Sequence, residues 1–288
     1  MMTMKHWIWF PIFIPKMNKA SRYQKYADYT ASLAVSTGFE WMSFLDTMAQ
    51  NSNRSIPELL LIHFQRPEAC DCRTYQEWLK SGCQVRRGAI GIAVPDKSNP
   101  EKMQYLFGRA DIKASSGNDR YWKFLEKFET DVAHALETTF DTGLTRSFYD
   151  QVEYAVSTAM DNYWATHETE ILGTIMDCVK GWGEYSAKLQ FMDAVYFSAC
   201  YMILHRCDKN PKFSYYESDF LCVRDFSSTK AMTTLGEAIR VVGNNVLKVI
   251  EKTIVEQSTQ NLNSIQAEGK KLPPAFLKPK SNKNEMEV

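Results

Sequence analysis

The chain has no net charge: 34 lysines and arginines meet 34 aspartates and glutamates among its 288 residues. That excludes a polyanion binder acting through bulk charge. Glycine and proline are scarce, at 13 and 10 residues, which excludes collagen-like and low-complexity chains. No apolar run approaches the roughly 20 residues that a membrane-spanning helix needs. The apolar stretch "WIWFPIFI" at 7–14 is interrupted by Pro11. It has no small-x-small cleavage site after it, so an N-terminal extension over residues 1–21 is expected rather than a signal peptide. The seven cysteines form no Cys-x-x-Cys, and no Cys/His group has zinc-finger spacing. Cys178, Cys200 and Cys207 lie in apolar, helix-like surroundings, as buried thiols do. A reducing cytosol is the expected compartment.

Catalytic motifs are missing as well. "HETE" at 167–170 lacks the second histidine of a zinc-protease helix and is expected to open a helix. There is no Gly-Lys-Ser/Thr phosphate loop, and Gly82, Gly88 and Gly91 do not make Gly-x-Gly-x-x-Gly. No Gly-x-Ser-x-Gly elbow occurs. His63, His134 and His205 read as core or partly buried histidines. Asp150 and Glu153 read as a solvated pair on one helix face. Met160, Met176, Met192 and Met202 read as core fillers. The expectation is a protein that is not an enzyme, with no cofactor and no metal.

What the sequence does contain is helical periodicity and one change of period. Tyr26, Tyr29 and Leu33 recur at helical spacing from Arg22 onward. Trp41, Phe44, Leu45 and Met48 form the next stripe. Ser55 can cap a helix that runs to Pro67, with Pro57 in its tolerant first turn. Thr74 can cap a short helix, Tyr75 to Ser81, with Glu77 completing a capping box and Trp78 in the core. Then the period becomes two. Ile90–Val94 and Met103–Phe107 predict a β-hairpin. From Arg120 the chain turns helical again, with Trp122, Leu125, Phe128, Val132 and Leu136 as one stripe. Helices follow at 145–166, 168–180 and 186–206. "DFLCV" at 219–223 is a strand or a buried connection. A long helix is capped by Ser227 or Ser228. It buries Ala231, Leu235, Ala238, Ile239, Val242, Val246, Ile250 and Ile254. The polar tail from Asn261 is expected to be disordered. The fold class is α+β, mostly α: N-terminal helices with a small β-hairpin or sheet, then a helical region. The expected divisions are 1–21, 22–118, 119–260 and 261–288.

Charge is unevenly distributed within the neutral total. Residues 73–127 carry 11 basic and 6 acidic side chains, and residues 128–226 carry 7 and 16. Single-stranded nucleic acid is held by a positive groove with aromatic platforms. Arg73, Lys80, Arg86, Arg87, Lys97, Arg109 and Lys113 supply charge, and Tyr75, Trp78, Tyr105 and Phe107 supply rings. Arg86 and Arg87 precede Gly88 in a turn, which puts at least one of the two in solvent. The small residues Gly91 and Ala93 permit close approach by another backbone.

The stretch "SIPELLLIHFQRPEACDCRTYQEWLKSGCQVRRGAIGIAV" at 55–94 resembles the N-terminal domain of ArdC-type antirestriction proteins. It is more similar still to the leader region of LtrC-like, helicase-type proteins of conjugative elements. Trp41, Phe44 and Leu45 match the opening helix of that pattern. Leu60, Leu61, Ile62, Gln65, Arg66 and Pro67 match the next. Trp78, Val85, Gly88, Gly91, Ile92 and Ala93 match its hairpin signature. "FSACYMILHRC" and "DFSSTKAMTTLGEAI" extend the resemblance, more loosely, to roughly residues 22–257. It implies a single-stranded DNA-binding module of a mobile element, acting in conjugative transfer or antirestriction. ArdC-type proteins continue into a metalloprotease-like domain, and the larger relatives into helicase or methylase domains. No such segment follows here, so neither proteolysis nor ATP-driven activity is expected. The acidic excess of 128–226 motivates a second expectation, an inhibitor that binds a host defence nuclease. A third is a scaffold beside another mobile-element protein of a split helicase-like system.

Overall fold

The computed structural model describes residues 18–99, 101–113, 122–141, 143, 147–177, 181, 183–211 and 214–267. The expectations made for residues 1–17, Cys178 and the tail beyond 267 lie outside the described residues.

Helix α1 spans Lys19–Ala34, and the Asn18 side chain caps it by accepting from the Ser21 N–H at 2.8 Å. Its start places residues 19–21 in the first helix rather than in an extension. The buried stripe is Ala27, Thr30, Ala31 and Ala34, while Tyr29 and Leu33 are exposed. Two of the three residues of the expected stripe therefore face outward, and only Tyr26 is half-buried. Alanines permit a close helix–helix approach, and α1 uses them against α3. Tyr26 lies flat on Phe64 at the edge of that contact, ring centroids 4.7 Å apart.

Helix α2, Gly38–Gln50, behaves as its pattern predicts: Trp41, Phe44, Leu45 and Met48 are fully buried. Helix α3, Ile56–Gln65, follows the Ser55 cap, whose N–H and hydroxyl both donate to the Glu58 carboxylate. Pro67 lies beyond its end, where a proline stops a helix. Strand β1 (Arg73–Thr74) leads into α4 (Tyr75–Lys80). There Thr74 accepts from the Glu77 N–H, and Glu77 accepts from the Thr74 N–H, completing the capping box.

The hairpin is present as β2, Ile92–Pro95, and β3, Met103–Phe107, in register Ile92 with Leu106 and Val94 with Gln104. With β1 it makes a three-stranded antiparallel sheet in the order β1-β3-β2. The expected strand start at Ile90 is two residues early, because Ile90 is exposed before the ladder begins. The two-residue β1 was too short to leave a period in the sequence. On β3 the fully buried residue is Leu106, while Tyr105 is exposed.

Helices α5 (Glu129–Phe140), α6 (Phe148–Ile175), α7 (Glu184–Arg206) and α8 (Thr229–Ala267) form the helical half. α5 opens after a 3-10 turn at Glu126–Phe128, so the stripe loses Leu125 to solvent but keeps Phe128, Val132 and Leu136. α6 is one helix where two were expected. No glycine or proline falls between Phe148 and Leu172, so "HETE" lies inside it and opens nothing. "DFLCV" belongs to a 3-10 segment, Glu217–Phe226, that buries Phe220, Val223 and Phe226. Ser228 caps α8 by accepting from the Ala231 N–H. All eight predicted core residues of α8 are buried. Full burial of each large apolar side chain contributes roughly 1.5–3 kcal/mol. α8 continues past Asn261 to Ala267, where a disordered tail was expected.

α2 packs on α7, with the Trp41 Nε1–H donating to Ser198 Oγ at 2.8 Å and the Tyr201 hydroxyl to Asp46 at 2.9 Å. One core thus runs through both the 22–118 and the 119–260 segments.

Candidate nucleic-acid interface

Several of the residues that carry the resemblance brace the sheet. At the end of α3, the Gln65 amide pairs with Ala93 on the outer edge of β2. It donates to the Ala93 carbonyl at 2.9 Å and accepts the Ala93 N–H at 3.0 Å. That satisfies an edge which would otherwise present bare backbone. Arg66 grips both oxygens of Asp111, at 3.1 and 2.9 Å, and donates to the Ile90 carbonyl. A Cβ on Gly91 would come within 2.8 Å of Tyr105 and 3.1 Å of Phe107. The close approach expected at Gly91 and Ala93 is therefore made by the chain's own strand and by Gln65. Trp78 is buried, its Nε1–H donating to the Phe107 carbonyl at 2.8 Å. It is core, not a platform.

The seven basic candidates divide by partner. Arg73 is clamped: Nε and Nη2 donate to Asp71 at 2.7 and 2.9 Å, Nη1 donates to Ser81, and the guanidinium lies 4.6 Å from the Trp78 ring centroid. Arg109 reaches the same Asp71 carboxylate at 3.4 Å. Asp71 has φ of 49°, a left-handed conformation that aspartate tolerates better than most residues. Lys97 follows β2 at the turn end of the hairpin and pairs with the buried Glu58 at 3.1 Å. Lys113 donates to Gln84 at 3.1 Å.

Arg86 and Arg87 differ. Their backbone is fixed: the Arg86 N–H donates to the Asp111 carbonyl at 2.8 Å, and the Lys113 N–H donates to the Gln84 carbonyl at 2.9 Å. An isolated bridge joins Val85 to Ile112. Gly88, at φ of 84°, turns the chain through a conformation that L side chains rarely adopt. Both arginine side chains are exposed, and neither forms an ion pair among the described residues. Lys80 and Tyr75, on α4, are also exposed. Of the other rings, Tyr105 accepts a hydrogen bond from Lys19 at 2.8 Å, and Phe107 packs over Gly91.

A cleft of about 440 Å³ adds residues from distant segments. Arg54, Arg206 and Lys248 line it beside Arg73 and Lys80, with Trp122 at one wall. The Arg206 guanidinium lies 3.6 Å from the Trp122 ring centroid. Sequence inspection missed these because they sit in four separate stretches and no local pattern joins them.

Burial shifts several titratable groups. Burial lowers the His63 pKa to about 4, against the opposing pull of Asp46, and its Nδ1 shares a hydrogen bond with Thr47. Burial pushes the Cys72 and Cys207 thiols up to about 12, and raises Cys200 further. Burial also raises the Glu77 carboxyl, but the Thr74 N–H and the Arg54 guanidinium outweigh it and hold Glu77 below its usual range. His205 pairs with Asp46 at 3.0 Å, while His134, expected to be core or partly buried, is exposed on α5 beside Glu137. Asp150 caps α6 with Ser147, and Glu153 accepts from the Tyr215 hydroxyl. Among the described residues no group of three His, Cys, Asp or Glu side chains is placed to hold a metal. No helix there is long and apolar enough to cross a membrane.

Comparison with family models, with curated proteins and with solved structures finds no match to this chain.

Proposed function

We propose that the chain is a non-enzymatic accessory protein of a mobile element that binds single-stranded DNA, in conjugative transfer or in protection from restriction. The observation that carries this reading is the Gln84–Gly88 turn, where two adjacent arginines stand exposed on a fixed backbone without an acidic partner among the described residues. Cations left free in this way can meet phosphates without first breaking an ion pair. Exposed Tyr75 and Lys80 offer a ring and a further charge on α4. The resemblance to the ArdC-type and LtrC-like leader domains points the same way.

The test is fluorescence anisotropy of the full chain with single- and double-stranded oligonucleotides at two salt concentrations. Single strands should bind more tightly, and binding should weaken with salt. Arg86→Ala with Arg87→Ala should lower the slope of log K against log salt by about 1.4, at about 0.7 per phosphate contact on single strands. A folded double mutant with unchanged affinity and slope would sink the assignment.

The second reading, an inhibitor that binds a defence nuclease, draws support from the acidic excess of 128–226, with exposed Asp161, Glu168 and Glu170 along α6. Co-purification with a nuclease, together with no affinity for any oligonucleotide, would favour it.

A further inference from the structure

We propose that the cleft between α4 and α8 binds a nucleotide phosphoryl group, either on a free nucleotide or at the phosphorylated end of a strand. The inference rests, for the strand, on the DNA-binding reading above. For the free nucleotide it stands alone.

The cleft is walled by the turn after α2, by β1 and α4, and by α8. Its volume, about 440 Å³, falls within the roughly 300–1,000 Å³ of small-molecule sites. It has room for one group of nucleotide size rather than for a strand passing through. Its lining carries five basic residues, Arg54, Arg73, Lys80, Arg206 and Lys248, and three acidic ones, Asp71, Glu77 and Glu251. Two of the acids are already engaged. Asp71 holds Arg73 and Arg109, and Glu77 holds Arg54 at 2.8 Å. Lys80 and Lys248 are exposed and form no ion pair among the described residues, although they stand on different elements. Two free ammonium groups opening on one cleft are suited to a dianionic phosphate, which presents several strong acceptor oxygens. The Arg206–Trp122 stack supplies a flat surface in the same wall, and a base can lie against such a plane. Glu251 is the remaining acid, exposed and without an ion pair among the described residues. It should repel the ligand.

Lys248 separates this site from the Arg86–Arg87 turn, because it lies on α8 outside the basic segment. The experiment compares three probes on the full chain: a single strand with a terminal phosphate at the 5′ or 3′ end, the same strand with hydroxyl ends, and a free nucleoside monophosphate. The phosphorylated strand or the monophosphate should bind, the former roughly tenfold tighter than its hydroxyl counterpart. Lys248→Ala should abolish that difference, and Glu251→Gln should tighten phosphate binding about threefold. Both positions are exposed, so the fold should tolerate them. Monophosphate binding that Lys248→Ala weakens, with no strand binding, would uphold the cleft and overturn the DNA reading. Equal binding of phosphorylated and hydroxyl strands, without monophosphate binding, would overturn the cleft and leave the DNA reading standing. Phosphate-dependent binding indifferent to Lys248→Ala would also overturn the cleft.

Discussion

Two sets of arginines in the same basic segment have opposite fates. Arg73 and Arg109 converge on Asp71, and Arg73 also covers Trp78. Arg86 and Arg87, between them in sequence, meet no carboxylate among the described residues. By sequence the two sets are alike, four cations in a stretch of net positive charge. Their roles differ because a neighbouring acid decides whether a guanidinium is architecture or surface. A charge count therefore locates a candidate region but cannot say which cations in it are free.

The sharpest way to break the comparison is to remove what the clamped set rests on. Trp78→Ala should destabilise the protein by about 3–5 kcal/mol, through the cavity and the hydrogen bond lost to Phe107. Urea denaturation would read it. Any loss of DNA binding should follow the unfolded fraction and not exceed it.

A third treatment of a potential cation is to keep it neutral, as at His63. Its folded pKa of about 4 lies below the unfolded value of about 6.5. Between those values the unfolded chain binds the proton and the folded one does not. Stability should therefore fall as pH drops from about 6.5 to about 4, by at most about 1.4 kcal/mol per pH unit from this group. Above pH 6.5 both states are neutral and the contribution is flat. His63→Gln should remove that part of the slope in denaturation curves taken from pH 4 to 7, and an unaltered slope would count against it.

A smaller effect is expected at the clamp itself. Asp71→Asn keeps the shape but removes the charge that Arg73 and Arg109 share. The groups are partly exposed, so the loss should be about 1–2 kcal/mol after screening. Freed arginines should leave DNA affinity unchanged or raise it. A marked drop in affinity at normal stability would place Asp71 in the interface and dissolve the distinction drawn here.

The legible parts of the fold were those with a local cause. The α2 stripe, the Thr74–Glu77 capping box, the hairpin and the eight buried residues of α8 each follow from spacing or from caps. α1 misled because alanine buries well without looking like a core residue, so Tyr29 and Leu33 drew the stripe to the wrong face. α6 misled because "HETE" can sit mid-helix when nothing breaks the backbone. At the candidate site, Arg86 and Arg87 were legible from the turn. The clamp on Arg73 was not, because Asp71 turns back on it through a left-handed backbone that sequence only permits. The cleft was illegible altogether, since Lys80, Trp122, Arg206 and Lys248 meet only after the chain has folded.

The finest test bears on what the free set contributes. Arg86→Lys with Arg87→Lys keeps both charges and removes the planar forks. If the turn acts as two point charges near phosphates, the salt slope should stay as in the parent protein and affinity should fall no more than about threefold. Stability should change by less than about 0.5 kcal/mol, because both side chains are exposed and form no ion pair among the described residues. If the forks instead grip phosphates bidentately, or stack on bases, affinity should fall much further at an unchanged slope. Anisotropy titrations at three or more salt concentrations separate those outcomes. The second would show that Arg86 and Arg87 recognise geometry, which the exposed turn permits but free charge alone does not require.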